Sequence, residues 1–120
     1  MAIGTDALRD NTSNFNLAIG FRVGFKNTTG NHLTGIGAAA LRNNTTGSFN
    51  TAIGSDALRE HTAGEDNTAI GADALTLNMA DDNAAIGSEA LSSNVDGTDD
   101  TAVGFQAMQL NVSGFTNAAM

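Results

Sequence analysis

The sequence predicts an all-β chain wound as a parallel β-solenoid, or β-roll, of seven coils of about 17 residues each. Three observations predict it. An Ile-Gly or Val-Gly pair recurs at nearly constant spacing, glycine holds one or two fixed places in every unit, and Asn-Thr clusters interrupt the glycine-free windows.

The pair comes first. It stands at Ile3-Gly4, Ile19-Gly20, Ile36-Gly37, Ile53-Gly54, Ile70-Gly71, Ile86-Gly87 and Val103-Gly104, with successive spacings of 16, 17, 17, 17, 16 and 17 residues. The whole of 1–120 therefore reads as a single repeat domain, with units beginning near 3, 19, 36, 53, 70, 86 and 103. The unit is I-G-x-x-A-L-x-x-N-x-x-G-x-x-N-T-A. Ala-Leu or its equivalent follows at Ala7-Leu8, Ala40-Leu41, Ala57-Leu58, Ala74-Leu75, Ala90-Leu91 and Ala107-Met108, and the second unit departs from this with Val23-Gly24. A mid-unit asparagine recurs at Asn11, Asn27, Asn44, Asn78, Asn94 and Asn111, with His61 in the remaining copy.

The glycines Gly4, Gly20, Gly37, Gly54, Gly71, Gly87 and Gly104 never disappear, which points to a positive φ or a close backbone approach there. A second glycine, at Gly30, Gly47, Gly64, Gly97 and Gly114, is missing from both 16-residue units. A deletion that coincides with loss of a glycine marks a turn.

A period of 17 has room for a helix, and D-A-L-R is locally helical in character. The recurrent glycines and Asn-Thr-Thr clusters favour turns instead, and Thr51-Ala52-Ile53 suits a short strand. Two strands and two turns per coil are expected. At ~4.8 Å per coil the stack extends about 30–35 Å. In N-T-A-I, Thr and Ile share one face and Ala takes the other; in D-A-L, Leu lies opposite Ala. The residues Ile3, Ile19, Ile36, Ile53, Ile70, Ile86 and Val103 are taken as the core column. One apolar face fills the interior, while the other lies in water unless a neighbouring chain covers it. With six aromatic residues in 12.2 kDa the core is thin. An oligomer is expected, three-fold in symmetry, against the alternative of a monomer with a small-residue face exposed.

Composition excludes several classes. There is no cysteine, hence neither disulfide nor thiolate site. A net charge of −8 opposes binding to nucleic acid or an anionic membrane. No apolar run approaches the roughly 18 residues of a membrane span, and no signal peptide is visible.

Asn50-Thr51-Ala52-Ile53-Gly54, Asn67-Thr68-Ala69-Ile70-Gly71 and Asp100-Thr101-Ala102-Val103-Gly104 resemble the head repeats of trimeric autotransporter adhesins. The longer form Ala40 to Gly47, A-L-x-x-N-T-T-G, is similar to repeats of bacteriophage tail fibres. The resemblance covers essentially the whole chain. Departures are the longer period, Val23-Gly24 and Leu33-Thr34-Gly35. The resemblance implies a left-handed homotrimeric roll, extracellular on a cell surface or virion. Its work would be structural and adhesive, toward a cell-surface glycan or protein receptor.

Candidate contact residues are Phe21, Phe25, Phe49, Phe105 and Phe115, which fall where other units carry polar residues. They read either as exposed aromatic contacts or as packing between chains. The asparagine column reads as a stacked amide ladder. Glycosylation sequons are the other reading, at Asn11-Thr12-Ser13, Asn27-Thr28-Thr29, Asn43-Asn44-Thr45, Asn44-Thr45-Thr46 and Asn111-Val112-Ser113.

Acids cluster late in the chain. Asp81, Asp82, Asp99 and Asp100 are weak calcium candidates, against a solvated acidic edge that limits aggregation. No catalytic residue, metal or cofactor is assigned. His32 and His61 occupy different repeat positions, and Asp56, Asp73 and Glu89 form one repeat column rather than an acid–base pair. The chain is expected not to be an enzyme. A self-polymerising filament is the alternative, since the chain starts inside a strand and stops at Asn117-Ala118-Ala119-Met120 where the next Ile is due. Ice binding through Thr51, Thr68 and Thr101 is weaker, because Ala84 and Ala118 break the row.

Overall fold

The computed structural model describes residues 1–120 and contains no helix. Eight short strands form one parallel sheet in chain order: β1 (Ala2–Ile3), β2 (Leu17–Ile19), β3 (Thr34–Ile36), β4 (Thr51–Ile53), β5 (Thr68–Ile70), β6 (Ala84–Ile86), β7 (Thr101–Val103) and β8 (Ala118–Ala119). Each strand pairs with the equivalent residues one unit away, as in Thr51↔Thr68, Ala52↔Ala69 and Ile53↔Ile70. The chain is therefore a parallel β-solenoid of seven coils. Its extents of 35 × 21 × 17 Å match seven rises of about 4.8 Å along the axis.

Each coil contains one strand, not the two expected. The reason lies just after the strand. Gly54 has φ 138, and Asp56 (φ 58) and Leu58 (φ 51) are both left-handed, so S-D-A-L cannot extend and turns instead. These turns still stack. Leu58 N–H donates to Ala74 O at 3.0 Å and Asp56 N–H to Ala38 O at 2.9 Å. Of 74 backbone hydrogen bonds, 61 lie outside the strands, most of them joining one coil to the next. Turn stacking thus holds the solenoid at least as much as its narrow sheet does.

The glycine that follows the Ile or Val in every unit has a double cause. A Cβ at Gly37 would stand 2.6 Å from Gly54 O, and the residue already has φ +122. Left-handed backbone and crowding by the next coil both exclude a side chain. At Gly30, Gly47, Gly64 and Gly97, the second glycines of their units, only crowding acts: a Cβ at Gly47 would lie 2.4 Å from Gly64 O and 2.6 Å from Asn44 Oδ1.

The inside of the roll differs from the expectation. Ala18, Ala52, Ala69, Ala85 and Ala102 point inward from the strands and are buried. The beacon residues Ile3, Ile19, Ile36, Ile53, Ile70, Ile86 and Val103 lie on the outer face with the threonines and are partly or well exposed, Ile86 by 43%. They are not the core column. Strand alternation permits either face inward, and a coil this narrow admits only alanine beneath its sheet. Nor do Ala and Leu oppose one another in D-A-L. Ala57, Leu58, Ala74, Leu75, Ala90 and Leu91 are all fully buried, because a left-handed leucine next to its alanine turns both side chains inward. The core is a column of alanines and leucines running the length of the axis.

Candidate functional site: two internal amide columns and an outer ridge

Beside the alanine–leucine core stand two columns of buried amides. The first is the mid-unit asparagine column. Asn44 Nδ2 donates to Asn27 Oδ1 at 2.8 Å, Asn94 Nδ2 to Asn78 Oδ1 at 3.0 Å, and Asn111 Nδ2 to Asn94 Oδ1 at 3.1 Å; Asn27 Nδ2 bonds Asn11 Oδ1 likewise. Every amide of the column except Asn111 also reaches a backbone carbonyl of its own turn, as Asn44 Nδ2 does to Gly47 O at 3.0 Å. In low dielectric such a chain of satisfied amides holds the coils in register. Asn27 and Asn44 are wholly buried, so these two sequons are closed to a glycan in the folded chain.

His61 interrupts the column. Its Nε2 lies 2.7 Å from Gly64 O and its Nδ1 3.0 Å from Asn78 O, so the imidazole serves the turn but offers nothing to the rung behind it. Asn44 Oδ1 is consequently buried without a partner.

The second column was not read as a ladder in the sequence, although its residues open the N-T-A motif. It comprises Asn16, Leu33, Asn50, Asn67, Asn83, Asp100 and Asn117. Here the side-chain oxygen accepts from the next coil's backbone: Leu33 N–H to Asn16 Oδ1 at 2.9 Å, Asn67 N–H to Asn50 Oδ1 at 2.9 Å, Asn83 N–H to Asn67 Oδ1 at 3.0 Å. The signal available was its recurrence at 16 or 17 residues immediately before each strand from β2 to β8.

On the outer corner next to this column runs a ridge of left-handed residues, one per coil: Phe15, His32, Phe49, Asp66, Asp82, Asp99 and Thr116. All are exposed. Its first three rungs stack. His32 lies 5.0 Å from Phe15 and 4.8 Å from Phe49 between ring centroids, with planes inclined by 16° and 8°. Asn31 Oδ1 sits 2.7 Å from His32 Nδ1 and fixes the imidazole orientation. Asp tolerates the left-handed region; phenylalanine there is strained and gains no burial. Phe15, 77% exposed, and His32 were missed as ridge members, although each directly precedes a residue of the second column.

The other aromatic candidates scatter. Phe25 is buried, with the Arg9 guanidinium 3.6 Å above its ring, so it is not a surface contact. Phe21 lies near Arg22 at 4.9 Å, and Phe105 and Phe115 are exposed with no aromatic neighbour.

The acid candidates do not converge either. Asp82 and Asp99 occupy the ridge, Asp81 Oδ1 accepts from Glu65 N–H at 2.8 Å, and Asp100 is buried in the second amide column. No three acid or imidazole groups come together as a metal site.

Charge is segregated along the axis. Residues 1–59 hold all five cations and three acids, net +2; residues 60–120 hold no cation and ten acids, net −10, which together give −8. Three of the five cations are paired at the surface: Arg9 with Asp10 at 2.9 Å, Arg22 with Asp6 at 3.5 Å, Arg59 with Asp56 at 3.3 Å and Glu60 at 2.8 Å. The hydrogen bond donated by Arg9 holds the Asp10 carboxyl below the usual range, and the bond that Arg59 donates to Glu60 raises the Arg59 guanidinium.

No protein-family model, curated protein or solved structure matches this chain.

Proposed function

We propose that this chain is a segment of an extracellular fibre, on a cell surface or virion, that acts as a homotrimeric, left-handed β-roll and presents its outer corner for attachment. The observation that carries the reading is the outer sheet face. Seven β-branched rungs, from Ile3 to Val103, lie in one straight column beside a row made largely of threonine. The chain alone exposes 5391 Å², less than the roughly 6,100 Å² typical of a monomer of its mass. What calls for a partner is therefore the chemistry of that face, not the extent of the surface. A flat apolar column repeating at every coil fits a copy of itself in register, and symmetric closure leaves no such face open.

The resemblance of N-T-A-I-G and A-L-x-x-N-T-T-G to adhesin heads and tail fibres supports trimeric symmetry and an adhesive role. Within that reading the exposed stack Phe15–His32–Phe49 is the contact strip for a surface glycan or protein receptor. The work is mechanical rather than catalytic. His61 serves the amide column and His32 the stack.

Light scattering across a range of protein concentrations tests the assembly. A constant mass three times 12.2 kDa supports it. A monomer overturns it, and a mass that grows with concentration replaces it with a head-to-tail filament. Binding of immobilised glycans and matrix proteins, lost in Phe15→Ser/Phe49→Ser, tests the contact strip separately.

A further inference from the structure

One position in the second amide column holds a carboxyl group in place of an amide. Asp100 is fully buried where Asn16, Asn50, Asn67 and Asn83 stand in other coils. Those four amides each donate to a carbonyl of the following coil's turn: Asn16 Nδ2 to Gly30 O at 2.9 Å, Asn50 Nδ2 to Gly64 O at 2.8 Å, Asn67 Nδ2 to Ala80 O at 2.9 Å, Asn83 Nδ2 to Gly97 O at 2.7 Å. In these turns the carbonyl points inward and also serves the first column. A carboxylate cannot donate to it.

Coil 7 departs from the pattern in three linked ways. Gly114 has φ +135, whereas Gly30, Gly47, Gly64 and Gly97 are not left-handed. Gly114 O faces outward and accepts from Thr98 N–H at 3.1 Å, which creates a β-bridge between Thr98 and Phe115 found at no other turn. Asn111 Nδ2, whose counterparts bond the inward carbonyl, donates instead to Asp100 Oδ2 at 2.9 Å.

Coil 2 separates two causes. Leu33 occupies the same column and donates nothing, yet the turn it faces keeps its inward carbonyl, with Asn44 Nδ2 on Gly47 O at 3.0 Å. Loss of the amide donor is therefore not enough to reverse the turn. Asp100 differs from Leu33 in placing there an oxygen that takes the Asn111 amide and that, when negative, repels an inward carbonyl dipole.

We propose that the charge on Asp100 sets the turn of coil 7, making it a two-position element that swings inward when that charge is removed. The inward position forms the bonds seen in coil 6; the outward one forms the Thr98–Phe115 bridge.

Two variants test this in the full chain, with amide hydrogen exchange and the Gly114 backbone conformation by NMR as readouts. Asp100→Asn supplies the missing donor, and Asp100→Leu copies Leu33. Both are expected to return Gly114 to the conformation of Gly97. Both are also expected to speed exchange of the Thr98 amide at least tenfold, while the Leu91 amide, bonded to Ala107 O in the core, keeps its protection and reports an intact fold. If Gly114 stays left-handed and Thr98 stays protected in both variants, the turn belongs to its place in coil 7 and the proposal is overturned. Recovery with Asn but not with Leu also overturns it, since donor supply and not charge is then the cause.

Discussion

A Cβ on Gly54 would lie 2.4 Å from the carbonyl oxygen of Gly71, one coil along the axis. Relief requires the two coils to part, which breaks bonds on both sides of the turn. Gly54→Ala is expected to cost about 3 kcal/mol or more, combining left-handed strain with the clash. Urea unfolding measures this; a loss below about 1 kcal/mol would be too small for the crowded geometry described.

The amide column predicts effects of opposite sign at neighbouring rungs. Asn44→Ala leaves Gly47 O and Asn27 Oδ1 short of a donor and is expected to lower stability by about 2–4 kcal/mol. His61→Asn offers an amide to the unpartnered Asn44 Oδ1 and is expected to raise stability by about 1 kcal/mol. Thermal unfolding of the two variants, side by side, checks both. A stabilised Asn44→Ala would show that the column contributes nothing.

Leucine and isoleucine are expected to behave differently on truncation. Leu75→Ala empties a fully buried site and should cost about 2–5 kcal/mol under all conditions. Ile86 stands outside the roll, so Ile86→Ala should cost under about 1 kcal/mol in an isolated chain. In the proposed trimer the same change is expected to weaken association as well. Denaturation at several protein concentrations separates the two: a concentration-independent, negligible effect of Ile86→Ala counts against the outer face as an interface.

Asp10 gives a pH test. Its carboxyl titrates below the ordinary range because Arg9 donates to it. A group depressed on folding contributes stability above its unfolded pKa and loses it as pH falls through the folded value. The contribution of Asp10 is therefore expected to fade only on acidification below the usual carboxylate range. Arg9→Gln is expected to return the Asp10 titration, followed by carboxyl carbon shifts, toward that range. An unmoved titration would remove Arg9 as the cause.

Much of this architecture was legible because repetition converts spacing into geometry. Seven Ile/Val-Gly pairs at 16 or 17 residues gave coil number and length directly, and glycine-linked deletions located a turn. Which strand face turns inward was not legible. Thr, Ala and Ile are all compatible with a buried face, and the narrowness that selects alanine belongs to the closed coil. The left-handed leucines were hidden for a related reason. Leu58 has no intrinsic preference for φ 51, and burial imposes it. On the ridge, Phe49 was singled out but its partners were not, because a column mixing Phe, His and Asp shows no similarity until the coils are stacked.

Pairing every coil with a neighbour 16 or 17 residues away has a kinetic side. A growing stack can add the wrong coil in nearly the right register, since one whole-unit slip preserves almost every strand partner. Such a slip is penalised only where rungs differ. Leu33, His61 and Asp100, together with the two short coils, are the places where a misplaced unit meets the wrong neighbour. The irregularities that interrupt the columns thus act as address marks, telling otherwise interchangeable coils apart while the chain folds.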